Sequence, residues 1–239
     1  MKHIPNFITS LNLASGFVAI TLAANGNLVS ASWFILAAMI FDFLDGFSAR
    51  LLKAYSDIGK ELDSLADVVS FGVAPALIIY HLLNNSLSII VFPENSTDTI
   101  LLILIMFIPV IMPVCGALRL AIFNLDSTQT TSFRGLPIPA NALAVISVVI
   151  AAHYSHSQAF TSIVGSTIFL IIFTVILSLL MVSRIPLLSL KVKNLKLKGN
   201  EGRYILIGLV IIGYLIFGII SIPFIIPVYI VSSLLALLF

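Results

Sequence analysis

DFLDGFSAR at 42–50 and GKELDSLAD at 59–67 concentrate four aspartates, Asp42, Asp45, Asp63 and Asp67, in a chain otherwise dominated by apolar residues. The first two are three residues apart and the last two four apart. On two helices each pair therefore shares a face, with side chains about 5–6 Å apart, and two such pairs turned toward each other make one acidic cage. An aspartate at the centre of a membrane helix costs about 2.5–3.5 kcal/mol, so four together need a counter-charge. Mg2+ or Mn2+ supplies it best, because both favour oxygen ligands. The predicted product is a site for two divalent cations about 3.5–4 Å apart, bridging phosphate oxygens.

Around this stretch the composition is that of a membrane protein. The 239 residues are 60% hydrophobic and only 9% charged, with a mean hydropathy of +1.17, whereas soluble domains carry about 25% charged residues. A disordered chain and a soluble nucleic-acid binder are both excluded. The single Cys115 forbids an internal disulfide and reads as a buried spectator thiol among apolar neighbours. The first apolar segment has no basic region beyond Lys2 and no small-residue cleavage site before Trp33, so it is expected to be a retained helix.

Outward from the acidic stretch, residues 30–51 and 61–83 read as a helical hairpin joined by a polar link at 52–60, with both acidic pairs at its open end. Upstream, a helix runs to Ala24, with Pro5 suited to its start, Thr9 and Ser10 as candidate caps, and NGN at 25–27 as the closing turn. Downstream come helices over 99–123, bent at Pro109 and Pro113, and over 139–152, 162–183, 204–220 and 224–239. His153 and His156 lack an acidic partner and read as interfacial. The fold class is all-α, a polytopic membrane protein of about eight transmembrane helices forming one catalytic domain over 1–239. Threaded from a cytoplasmic N-terminus, eight spans place all twelve basic residues on one side, with Glu94 and Asp98 opposite. The positive-inside rule then puts both termini and the acidic cage on the cytoplasmic side of the cell membrane. The basic run Lys191 to Lys198 reads as an anchor to anionic membrane lipids.

Asp42, Asp45, Gly46, Ala49, Arg50, Gly59, Asp63 and Asp67 match the pattern DxxDGxxARx8GxxxDxxxD without departure, and on these residues the chain resembles the CDP-alcohol phosphatidyltransferase family. PNFITSLNLASG at 5–16, SFGVAPA at 70–76, RLAIFN at 119–124 and FRGLPIPA at 133–140 are most similar to the branch of that family that makes phosphatidylserine-type lipid. The resemblance implies a six-helix core over 1–183 and an additional C-terminal helix pair over 204–239. It also implies transfer of the phosphatidyl group of a CDP-linked lipid, CDP-diacylglycerol or CDP-archaeol, to the hydroxyl of L-serine with release of CMP, and a homodimer. Glycerol 3-phosphate or inositol phosphate is the alternative acceptor for the same chemistry. A divalent-metal transporter is the alternative from another class.

Carried over residue by residue, the resemblance has Asp42, Asp45 and Asp63 bind one cation and Asp42, Asp63 and Asp67 the other. Asp67 is the candidate general base for the serine hydroxyl, with a ligand-only role as its alternative. Gly46, Ala49 and Gly59 would admit the nucleotide close to the backbone; helix packing is the other reading of such small residues. Arg50 is a candidate for nucleotide contact or a salt bridge. Arg119 and Arg134 are candidates for gripping a carboxylate or phosphate. Thr9 and Asn12 are candidates for donor phosphate contact or for structural hydrogen bonds.

Overall fold

The structure, a computed structural model, describes residues 3–88, 96–125, 133–187 and 201–235. Helix α1 (Ile4–Ala24) starts with Pro5 in its first turn, where a missing N–H costs nothing. Because it starts that early, Thr9 and Ser10 do not cap it. Their hydroxyls donate instead to the carbonyls of Pro5 and Asn6, at 3.0 and 2.9 Å. Gly26, at φ +78°, turns the chain, and the Asn27 side chain accepts from the Ser30 amide to cap α2 (Leu28–Leu51). Ser56 caps α3 (Asp57–Asp67), accepting from the Gly59 amide at 3.0 Å. This cap brings the helix start four residues ahead of the expected 61.

A π-helical turn, Val68–Val73, joins α3 to α4 (Ala74–Ser88). Helix α5 (Ser96–Met106) leads through a 3-10 turn at Ile108–Val110 into α6 (Ile111–Leu125), so the break expected near Pro109 is present. A two-residue strand β1 (Phe133–Arg134) precedes α7 (Ile138–Tyr154). The helix expected over 162–183 is broken into α8 (Gln158–Val164) and α9 (Thr167–Val182), bent by 61°. Strand β2 (Pro186–Leu187) pairs antiparallel with β1, Arg134 opposite Pro186, a small departure from an all-α chain. Helix α10 (Glu201–Phe217), a 3-10 segment Gly218–Phe224 and α11 (Ile225–Leu235) follow. The basic run Lys191 to Lys198 lies outside the described residues.

Among the described residues, five helical stretches are long and apolar enough to cross a membrane: Ile4–Ala24, Leu28–Leu51, Asp57–Leu87, Ile100–Leu125 and Tyr204–Leu235; the bent pair α8 and α9 makes a sixth if taken as one span. The last stretch does not run straight. A Cβ on Gly213 would lie 3.7 Å from the Ser221 side chain, whereas eight residues along a straight α-helix span about 12 Å. The chain reverses at Gly218, which takes φ +57°, and α10 and α11 pack against each other.

Helix α7 forms the centre of the molecule, with Ala142, Val145, Ile146 and Ala151 fully buried. Helix α1 packs most extensively on α2, and α3 packs on α1 rather than on α2. The expected α2–α3 hairpin is therefore not a closed pair. Helix α1 wedges its arms apart, and the gap between them positions the site.

Candidate active site

Because α2 and α3 are held apart, their carboxylates meet across a gap instead of being crushed into a helix interface. Asp42 from α2 and Asp63 and Asp67 from α3 each offer an oxygen, and these lie within 4.8 Å of one another. Asp45, one turn along α2, stands outside this trio; it faces Thr9 of α1 and shares a cavity wall with Asp63. The four-carboxylate cage is thus a tight trio with Asp45 beside it. Asp45 Oδ2 and Asp63 Oδ1 are buried without a hydrogen-bond partner. A buried acceptor left unpaired costs about 1–3 kcal/mol, more when charged, and a cation satisfies it. An oxygen-only donor set of this kind could hold a divalent metal ion of the Mg2+ class.

Asp67 is aimed by its surroundings. The Asn12 side-chain amide donates to Asp67 Oδ1 at 3.3 Å, and the Ser70 hydroxyl donates to the Asn12 backbone carbonyl at 3.1 Å. Ser70 belongs to the π-turn, whose wider winding leaves backbone groups needing other partners. Asn141 of α7 answers one of these, its amide donating to the Phe71 carbonyl at 3.4 Å. Gly16 lets α1 approach this turn, since any side chain there would run into Ser70. Asn12 therefore holds the trio rather than lining the open cavity, and the SFGVAPA run shapes the backbone behind Asp67.

The open part of the gap is a cavity of about 380 Å3, whose wall includes Thr9, Asp45, Gly46, Ala49, Arg50, Gly59 and Asp63. One volume thus collects residues from three elements that the sequence had singled out separately. A Cβ on Gly46 would meet no atom within 4 Å, so no helix packs there, and what its small size leaves is space in the cavity. Gly59 differs: a Cβ there would come within 2.8 Å of Asn6 Oδ1 and 2.9 Å of Ser56 Oγ, so its bareness serves the turn that caps α3.

Tyr55, Ser56 and Lys60 also line the cavity, and sequence reading passed over them. Lys60 Nζ donates to the Asn124 backbone carbonyl at 3.2 Å and Asn124 Nδ2 donates to Ser64 Oγ at 2.9 Å, which clasps α3 to the end of α6. The available signal was Lys60 directly after Gly59, with Asn124 closing RLAIFN. Arg119 is buried in α6, its guanidinium 5.9 Å from the Phe123 ring centre. It lies within electrostatic reach of Asp67 and Tyr229, and its Nε has no partner. Arg134 has its backbone in β1; its side chain lies outside the described part.

The same residues carry a match to known proteins. The family model described as CDP-alcohol phosphatidyltransferase matches residues 2–182. The CDP-diacylglycerol--serine O-phosphatidyltransferase of Bacillus subtilis (strain 168) is 38% identical over 146 residues, 61% of this chain and 75% of that protein. The protein of the same name from Helicobacter pylori (strain J99) is 37% identical over 207 residues, 85% of this chain and 77% of that protein. The archaetidylserine synthase of Methanothermobacter thermautotrophicus is 36% identical over 168 residues, 69% of this chain and 66% of that protein. The matched stretch ends with α9 and contains every carboxylate and glycine of the cavity wall. A multi-pass helical chain with this match across its site belongs to the CDP-alcohol phosphatidyltransferase family.

Proposed function

We propose that this enzyme transfers the phosphatidyl group of a CDP-linked lipid to the hydroxyl of L-serine, releasing CMP and forming a phosphatidylserine-type lipid. The carrying observation is the meeting of three carboxylates within 4.8 Å beside a cavity whose wall includes Gly46, Ala49 and Gly59. Serine as acceptor is supported by the names of relatives that align with 61–85% of this chain.

In this reading the donor's nucleotide lies against Gly46, Ala49 and Gly59, with Arg50 at its side and its diphosphate at the aspartates. Asp42, Asp45 and Asp63 hold one divalent cation and Asp42, Asp63 and Asp67 a second, Mg2+ or Mn2+. When bound, these neutralise the diphosphate and stabilise charge developing on the transferred phosphoryl group. The serine oxygen forms a bond to the phosphorus that carries the lipid, and its proton passes to Asp67. The bond from that phosphorus to the CMP oxygen breaks, and CMP leaves with the electron pair. Asn12 keeps the Asp67 carboxylate turned toward the acceptor, Thr9 orients Asp45, and Arg119 with Arg134 grips the serine carboxylate.

The reversal at Gly218 and the depth of α7 support eight segments arranged as a core over 1–183 with a C-terminal pair over 204–239. The placement of basic residues supports cytoplasmic termini and a cytoplasmic site. The homodimer rests on the family alone.

The test is CMP release by purified protein given CDP-diacylglycerol and, in separate reactions, serine, glycerol 3-phosphate or inositol phosphate. Release is expected with serine alone, lost on chelation with EDTA and restored by Mn2+ or Mg2+. Release with glycerol 3-phosphate but not serine overturns the acceptor, and release undiminished by EDTA overturns the metal site.

A further inference from the structure

Lys60 lies in the first turn of α3, and its ammonium is tied down from outside that helix. Its Nζ donates to the Asn124 backbone carbonyl at 3.2 Å, Asn124 Nδ2 donates to Ser64 Oγ at 2.9 Å, and the Ser64 hydroxyl donates back to the Lys60 backbone carbonyl at 3.2 Å. Asn124 belongs to the last turn of α6, where carbonyls have no partner within the helix and form its negative end. Capping that end explains the bond. It does not explain why Lys60 also lines the cavity between α2 and α3. An ammonium carries three donors, and the Asn124 carbonyl takes one.

The cavity wall is divided by charge: Arg50 of α2 and Lys60 of α3 bring cations to it, Asp45 and Asp63 carboxylates. Lys60 is three residues ahead of Asp63, so the two share a face of α3 about 5–6 Å apart at their Cβ atoms. That spacing puts an ammonium on a flexible four-carbon stem in reach of a phosphate held at Asp63. The tether to Asn124 already restricts the stem, so less rotamer freedom is lost when a ligand is gripped. The transfer proposed above also calls for a cation there. CMP departs with the electron pair, and its phosphate gains a negative charge that it lacked in the donor, which a fixed positive group stabilises.

We propose that Lys60 is a ligand of the nucleotide's phosphate: anchored by the Asn124 backbone carbonyl at the end of α6, its ammonium neutralises the charge that CMP gains on leaving. This rests on the reading of the cavity as the nucleotide site.

The experiment measures the Kd of CMP, and by competition that of cytidine, both with Mn2+, for the purified protein and for Lys60→Met, Lys60→Arg and Gly46→Leu. Gly46→Leu fills the cavity, since a Cβ on Gly46 meets no atom within 4 Å, and is expected to abolish binding of both. Lys60→Met is expected to weaken CMP about tenfold, the size of one hydrogen bond to a charged group, with cytidine unchanged, and Lys60→Arg to restore most of that affinity. CMP binding undiminished in Gly46→Leu overturns the cavity as the nucleotide site and the inference with it. Binding lost in Gly46→Leu but unchanged in Lys60→Met, or CMP and cytidine weakened alike in Lys60→Met, overturns the role of Lys60 alone and leaves it a clasp on α6. Should Lys60→Met not accumulate as folded protein, Lys60→Gln, which keeps a donor for the Asn124 carbonyl and drops the charge, carries the same comparison with the same loss expected.

Discussion

The corner formed by α1, α2 and α3 and the hairpin formed by α10 and α11 both set polar side chains into an apolar, membrane-spanning chain, and they settle the cost in opposite ways. In the hairpin, the buried Ser232 and Ser233 spend their hydroxyls on their own backbone. In the corner, Asp45 Oδ2 and Asp63 Oδ1 are left without partners although buried, and α1 holds open the space they face. Local satisfaction needs only one helix and serves stability. Two carboxylate oxygens left open beside a cavity are what a cation would complete, and on the function proposed above the corner is the reactive end of the molecule.

Asp63→Asn breaks this contrast most forcefully. It removes the charge from an unpaired oxygen at the trio, and serine-dependent CMP release is expected to fall by at least about 10²–10³-fold while the folded protein persists in detergent. Activity close to that of the unmodified protein would mean that the corner's open oxygens are incidental.

Asn12→Ala comes next. It takes away the donor at 3.3 Å from Asp67, and kcat is expected to drop about tenfold, in line with the loss of one hydrogen bond to a carboxylate. A larger loss than Asp63→Asn would move the centre of the chemistry from the trio to α1.

The smallest effects separate packing from reactivity. Ile146→Ala, at a fully buried position of α7, is expected to cost about 2–5 kcal/mol of stability, read as a lower melting temperature with activity per folded molecule retained. Leu215→Ala on α10, where the side chain is 78% exposed, should shift stability by no more than about 0.5 kcal/mol. Equal costs at the two positions would show that α10 is covered by protein in the membrane.

That last pair also marks where sequence reading reaches its limit. Helices α7 and α10 are each 17 residues long and almost wholly apolar, yet one is the core and the other faces outward. Hydropathy reports what a residue avoids, which is water, and lipid and protein interior satisfy it equally. The same blindness left unseen that α1 packs between the arms of the expected hairpin, and it hid Lys60, whose bond to the Asn124 backbone carbonyl joins residues 64 positions apart.

The sequence by itself determined that the chain spans membranes as helices and that Asp42 shares a face with Asp45 and Asp63 with Asp67, because helical periodicity is local and a spacing of three or four residues sets a face. It also determined the helix starts and breaks at Pro5 and Pro109 and the turn at Gly26, through backbone chemistry that neighbours cannot override. Only the tertiary structure decided that α1 wedges α2 from α3, that Asp45 stands beside the trio of Asp42, Asp63 and Asp67, and that Asn12 bonds Asp67. These depend on which apolar faces meet, and in a chain apolar on nearly every face that choice is made by packing shape and by the few buried polar groups that must find each other.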